Sequence, residues 1–254
     1  MPDDSQKKKI FKYRMLLCIC VLIYVLALLV RMVKITLDPT LTRDGSLYLI
    51  WVEHWIATGD FFYTFFNKVG LVPPFALWTI KILTLSGLDP ETAGRSVSMF
   101  FGSLIPVVAF LFAFRGCRNI RIAMVAALVL VFHPDLVLYS GQPLRENGYI
   151  FFSGMLFLFV MEAVRKSTAA KWAVCGIFLA LSAHCRFEAL EFAAIVPLVL
   201  AALCYFKKMI IKDAIRNAAF FFLVFGLTSV LLLACADFDP RIIIRPLEHI
   251  AQSF

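Results

Sequence analysis

Leu71-Val72-Pro73-Pro74-Phe75-Ala76-Leu77-Trp78-Thr79-Ile80-Lys81-Ile82-Leu83-Thr84-Leu85-Ser86-Gly87-Leu88 is the stretch on which the topology turns. It is apolar enough to suggest a membrane span, yet it holds two prolines and a lysine. Counting it as a span sends the loop with Arg115, Arg118 and Arg121 to the opposite side from the other basic segments. Those segments are Lys7, Lys8, Lys9, Lys12 and Arg14 before the first apolar run, Arg165, Lys166 and Lys171 after the fourth, and Lys207, Lys208, Lys212 and Arg216 after the sixth. Leaving the stretch out of the count brings every basic group to one face, which the positive-inside rule assigns to the cytoplasm. The acids Asp38, Asp44, Glu53, Asp60, Asp89, Glu91, Asp135, Glu146, Glu188, Glu191, Asp237, Asp239 and Glu248 then fall at or near the other face.

A span needs about 20 apolar residues, and seven runs qualify or come close: 13–35, 96–114, 122–138, 149–164, 172–185, 192–206 and 218–236. The fourth to sixth are short, so their polar ends are expected to be buried against protein. The expected fold is an all-α, polytopic transmembrane helical bundle of about seven spanning helices, with the N-terminus cytoplasmic and the C-terminus external. It reads as one module, 1–254: a first span at 12–37, an external loop at 38–95, six further spans over 96–236 and an external tail at 237–254. A mean hydropathy of +0.86 and 61% hydrophobic residues in 254 agree with a multi-pass membrane protein.

The net charge of +8 sits in short loops beside apolar runs, where it orients helices against anionic lipid. It therefore gives no reason to expect a nucleic-acid partner. The first run lacks a small-x-small cleavage site and reads as a retained signal anchor. Of the seven cysteines, Cys18, Cys20, Cys175, Cys204 and Cys235 lie in apolar runs and form neither a disulfide framework nor a zinc spacing. No internal repeat appears. Walker loops, glycine-rich dinucleotide turns, Gly-x-Ser-x-Gly elbows and His-Glu-x-x-His pairs are absent from the sequence.

The long loop is expected to carry two interfacial helices. The first, 45–57, sets Leu47, Ile50, Trp51 and Trp55 at helical spacing on one face, and tryptophan favours the headgroup layer. The second starts at Pro73-Pro74, a normal helix-start position. Asp44, just before the first, has two readings. It is an N-cap, or a carboxylate at the membrane surface that takes a proton from an acceptor hydroxyl.

Arg43, Arg95, Arg145 and Arg186 are all expected at the external face. Their planar forks suit the oxygens of a lipid phosphate or pyrophosphate. Glu146 and Glu188 adjoin two of them. His133 and Asp135 are weak candidate ligands for a divalent metal, and no other cofactor is expected.

Several segments, taken in order, resemble the membrane glycosyltransferases of the GT-C class. The particular likeness is to the family related to protein O-mannosyltransferases and to the aminoarabinose and galacturonosyl transferases that modify lipid A. The segments are Asp44 with Tyr48 following, Ala57-Thr58-Gly59-Asp60, Pro73-Pro74, Ser86-Gly87-Leu88, Arg95-Ser96-Val97-Ser98, Phe101-Gly102-Ser103-Leu104 and Ser182-Ala183-His184-Cys185-Arg186-Phe187-Glu188-Ala189-Leu190. The resemblance covers roughly residues 13 to 206. It departs from the family's frequent acidic pair, because Gly45 follows Asp44.

The resemblance implies a polyprenyl-phosphate-linked sugar as donor and an inverting transfer to an acceptor hydroxyl at the external face. Asp44 is then the catalytic base. Arg145 and Arg186 receive the developing lipid phosphate, Glu146 and Glu188 orient them or bind sugar hydroxyls, and Arg43, Tyr48 and Arg95 complete the donor site. It also implies membrane lipids as surroundings, an acceptor that is protein, lipid or glycan, and a bacterial inner membrane. Relatives continue beyond this first shared module, so a minimal enzyme, a fragment and one subunit of a complex are all open readings. A non-catalytic lipid-phosphate binder is the alternative function, with a transporter behind it.

Overall fold

The structure, a computed structural model, describes residues 4–59 and 74–235. Asp60, Pro73 and the tail at 237–254 lie outside the described residues. The fold is all-α, with no strand among the described residues. In chain order the helices are α1 (Asp4–Leu37), α2 (Arg43–Thr58), α3 (Pro74–Leu85), α4 (Pro90–Cys117), α5 (Ile120–Val131), α6 (Pro134–Ser140), α7 (Glu146–Arg165), α8 (Ala169–Ala183), a 3-10 helix (Phe187–Ala194), α9 (Ile195–Tyr205) and α10 (Ile211–Cys235).

Each of the seven expected apolar runs is mainly helical over its described residues, but they are not seven equal spans. Five segments are long and apolar enough to cross a membrane: Tyr13–Leu37, Pro90–Cys117, Glu146–Arg165, Phe187–Tyr205 and Ile211–Ala234. The expected third span is a broken pair, α5 and α6, bent by 56°. Pro134 causes the break. It supplies no N–H and drives His133 out of the helical region, to φ −63° and ψ 121°. The expected fifth span is α8, whose 15 residues rise only about 22 Å, short of a hydrocarbon core of about 30 Å.

The second span also begins earlier than expected. Asp89 caps α4 through a 2.9 Å bond from the Thr92 amide, and Pro90 follows at the first position. Arg95 is therefore inside α4 rather than at the end of an external loop.

α4 is the central element and packs against α1, α2, α3, α5, α6 and α7. Three apolar clusters surround it. Ile23, Ala27, Phe110, Ala123 and Val131 join α1, α4 and α5. Leu156, Trp172, Leu179, Val196, Leu200 and Phe221 join the C-terminal helices. Tyr48, Trp51, Val52, Trp55, Leu77, Ile80 and Ala93 join α2, α3 and α4.

This last cluster corrects the face that α2 was expected to turn to the headgroups. Trp51 and Trp55 do not meet headgroups: both are buried against α3 and α4, and Ile50, expected beside them, is exposed. Lys81, the lysine that spoiled the stretch 71–88 as a span, stands 4.0 Å from the centre of the Trp55 ring, a cation–π contact that covers its charge.

The outward faces are apolar, as lipid contact requires. Leu22, Leu29 and Val33 of α1 and Leu223, Val230 and Leu231 of α10 are more than half exposed. The basic loops collect at one end of the bundle. There Arg115 Nη1 donates to Glu162 Oε1 at 2.9 Å, Arg165 donates to the Arg115 carbonyl, and Asn217 Nδ2 donates to Ser167 Oγ at 3.0 Å. The opposite end carries α2, the α6–α7 turn and the residues after α8.

Candidate functional site

The site is built on the turn from Tyr139 to Asn147, which joins α6 to α7, and that turn is fastened from several sides. Gln142 Nε2 donates to the Thr40 carbonyl at 2.7 Å, and its Oε1 accepts from the Thr42 amide at 2.8 Å. The Ser98 hydroxyl of α4 donates to Leu144 O at 2.9 Å and accepts from Leu144 N at 3.0 Å. Arg31 of α1, fully buried, donates through Nε to Ser140 Oγ at 3.0 Å. Asn147 Nδ2 donates to Tyr139 O at 3.0 Å.

Glycine makes room for the turn. A Cβ on Gly94 would lie 2.5 Å from Pro143 Cβ, and one on Gly45 would lie 3.0 Å from Pro143 Cδ. Pro143 is thus seated between α2 and α4, and the bonds to Ser140, Gln142, Leu144 and Asn147 fasten the turn around it.

From this platform Arg145 and Glu146 open α7, where the helix dipole favours the carboxylate. The chain after α8 brings up Arg186 and Glu188; the Phe75 amide bonding to His184 O at 3.0 Å ties that segment to α3. Arg186 Nη1 donates to Glu146 Oε1 at 3.3 Å, and Nη2 donates to Glu188 Oε1 at 2.7 Å. Arg145 Nε stands 3.9 Å from Glu146 Oε1. The two guanidinium groups also sit over aromatic rings, Arg145 at 5.9 Å from the centre of Tyr48 and Arg186 at 5.7 Å from that of Tyr149.

Three buried atoms of the cluster have no hydrogen-bond partner: Arg145 Nε, Arg186 Nε and Glu146 Oε2. Each guanidinium presents five N–H donors, so the pair has spare capacity for an anion. The Glu188 carboxylate, by its hydrogen bond, raises the Arg186 pKa and keeps that charge fixed. Burial pushes the Tyr48 hydroxyl up to about 12, so it stays protonated and can donate.

The sequence-predicted residues separate into groups. Tyr48, Arg145, Glu146, Arg186 and Glu188 come together. Asp44 is exposed one helical turn before Tyr48 and close enough that its charge contributes to the Tyr48 shift. It is not the N-cap of α2. Thr42 takes that position, its Oγ1 accepting from the Gly45 amide at 3.2 Å, because a cap side chain must reach back to a first-turn N–H from outside the helix. Asp44 lies inside the first turn with its carboxylate uncommitted to a cap.

Arg43 is exposed at the start of α2 and takes no part in the cluster's ion pairs. Arg95 is a correction to the expected donor site. It is 6% exposed, with Nε on Glu91 at 2.8 Å, Nη1 on Gly141 O at 2.7 Å and Nη2 on Pro39 O at 2.5 Å. A guanidinium committed to two carbonyls and a carboxylate fastens the turn instead of holding phosphate.

His133 occupies the N-cap position of α6 without a side-chain capping bond, Asp135 is exposed in its first turn, and no group of three His, Cys, Asp or Glu side chains suited to a metal forms among the described residues. Three supports escaped the sequence reading: Arg31, Ser140 and Gln142. Arg31 had a signal, a charge inside an otherwise apolar run. Gln142 and Ser140 had none, since a loop glutamine or serine is ordinary until its partner is known.

Beside α3 and α4 lies an apolar cleft of about 410 Å³, lined by Thr79, Ile82, Leu83, Val97, Phe100 and Phe101 among others. No protein-family model matches this chain, and no curated protein does.

Proposed function

We propose that the protein is a membrane glycosyltransferase that moves a sugar from a polyprenyl-phosphate donor to an acceptor hydroxyl with inversion. The observation that carries this reading is the pairing of Arg145 and Arg186 over Glu146, with one buried, unpartnered Nε on each arginine, at the membrane end that also holds the exposed Asp44.

In the reaction, Asp44 takes the proton of the acceptor hydroxyl as its oxygen attacks the anomeric carbon. The bond from that carbon to the phosphate oxygen breaks, and the lipid phosphate leaves with the electron pair. Arg145 and Arg186 bind it more strongly as its charge grows, which lowers the barrier. Binding the phosphate draws the arginines partly away from Glu146 and Glu188, whose carboxylates then accept from sugar hydroxyls. The apolar cleft between α3 and α4 has the chemistry an isoprenoid chain needs. The reading includes an orientation, with the basic end in the cytoplasm and the Asp44 end outside, in a bacterial inner membrane.

The test is sugar release by the purified protein in lipid, across a panel of polyprenyl-phosphate sugars with membrane extract as acceptor. Wild type is expected to turn over at least one donor. Asp44→Asn is expected to lose about a hundredfold or more in kcat, the range for a general base, with donor binding retained. Donor binding without turnover in wild type removes the enzyme reading and leaves a lipid-phosphate-binding protein.

A further inference from the structure

At the basic end, the turn between α9 and α10 and the loop between α7 and α8 enclose a pocket of about 420 Å³, lined by Ser167, Lys207, Lys208, Asp213, Arg216 and Asn217 among others. We propose that the pocket binds the headgroup of an anionic phospholipid bearing a hydroxyl beside its phosphate, of the phosphoglycerol type. This proposal is independent of the chemistry at the other end.

Three cations face one anion here. Arg216 Nη2 pairs with Asp213 Oδ1 at 2.9 Å, while Lys207 and Lys208 form no ion pair among the described residues. Their backbone is fixed, because the Lys207 amide bonds to Cys204 O and the Lys208 amide to Leu203 O, both at 2.9 Å, with Lys207 in the left-handed region at φ 55°. α10 starts at the same place, and the partial positive charge of its first turn adds to the lysines. The pocket is therefore cationic and presents donors, the complement of a phosphate.

Asn217 supplies the second requirement. It is 1% exposed, its Nδ2 donates to Ser167 Oγ at 3.0 Å, and its Oδ1 is buried with no partner. Such an acceptor is costly to leave unmet. The oxygens of a phosphodiester cannot meet it, and neither can a choline, whereas a headgroup hydroxyl does so by donating. The occupant thus combines an anion for the lysines with a donor for Asn217, and a phosphoglycerol headgroup carries both.

The surroundings select a lipid over a soluble phosphate. Tyr205, Phe206, Ile210 and Ile211, which flank the pocket in the chain, are all more than 60% exposed. A collar of aromatic and aliphatic side chains beside a cationic pocket matches the headgroup layer, with acyl chains continuing over the apolar flank.

The experiment uses the full chain in phosphatidylcholine nanodiscs and measures binding by native mass spectrometry and by the thermal unfolding midpoint. Short-chain phosphatidylglycerol is expected to bind and raise the midpoint, above phosphatidylmethanol, an anionic phosphodiester without an O–H, and above added phosphatidylcholine. The double variant Lys207→Gln/Lys208→Gln, at two exposed positions, is expected to lose about an order of magnitude or more in that affinity. Asn217→Ala is expected to erase the preference for phosphatidylglycerol over phosphatidylmethanol. If that variant does not fold, the same preference in wild type reads the hydroxyl requirement. Equal binding of phosphatidylcholine, unchanged affinity in the double lysine variant, or no preference for the hydroxyl in wild type each overturns the proposal. Glycerol 1-phosphate binding as tightly as the lipid replaces the membrane ligand with a soluble one and overturns it too.

Discussion

Four arginines look equivalent in the sequence, and the structure gives them different work. Arg95 is spent on Glu91, Gly141 O and Pro39 O, whereas Arg145 and Arg186 keep a buried Nε each without a partner. Arg95→Leu is expected to leave two carbonyl oxygens without donors, costing about 1–3 kcal/mol for each one that stays buried. Its thermal midpoint in detergent should fall clearly. Arg186→Met is expected to weaken donor binding, seen in a titration, with a smaller change in midpoint because its ion pairs are partly exposed. Equal effects of both variants on donor binding would refute the distinction.

Tyr48 offers a second check at this scale. Its folded-state pKa, up to about 12 through burial, lies above the ordinary value of 10.0. The stability it contributes is therefore intact below about pH 10 and is lost as pH rises from there towards about 12. Midpoints measured through that window are expected to fall more steeply for wild type than for Tyr48→Phe. Residue type alone showed which side chains carry charge. It did not show which charge is already satisfied, because that depends on carbonyls 46 and 56 residues away in the chain.

At the scale of elements, helix positions follow from caps and prolines that are visible in the sequence. Asp89-Pro90 starts α4, and Pro134 divides α5 from α6. Burial was less legible. The tryptophans of α2 suit a headgroup layer or a protein groove equally well, and α3 decides the matter by covering them. The α6–α7 turn depends on absent side chains as much as on present ones. Gly94→Val is expected to push Pro143 out of its seat between α2 and α4, lowering the midpoint and reducing donor binding together, since Arg145 and Glu146 follow directly on the displaced turn. Gly226→Ala, where a Cβ meets nothing within 4 Å, is the control expected to change neither.

At the scale of the whole molecule, charge segregation is the feature the sequence shows most clearly. The basic loops meet at one end through the Arg115–Glu162 and Asn217–Ser167 contacts. The number of crossings was less legible, because length and apolarity do not reveal a 56° break or how short a helix carries the chain from one end of the bundle to the other. The orientation has a direct check in a cysteine-free background carrying one new cysteine. Arg43→Cys is expected to react with an impermeant maleimide on intact cells, and Lys208→Cys only after permeabilisation; the reverse pattern would invert the molecule.

Arg31 bears on how the chain is assembled during synthesis. It sits six residues before the end of α1, roughly 9 Å along the axis, and its side chain is shielded by Ser140, which the ribosome adds 109 residues later. Until α6 arrives, α1 holds a guanidinium in the bilayer with only its own Ala27 carbonyl as a partner, at a depth from which an arginine can extend towards the headgroups. α1 therefore enters before α6 but settles only with it. Its final rotation and depth are set when α6 arrives, which makes the seating of α1 wait on α6 in the birth of the bundle.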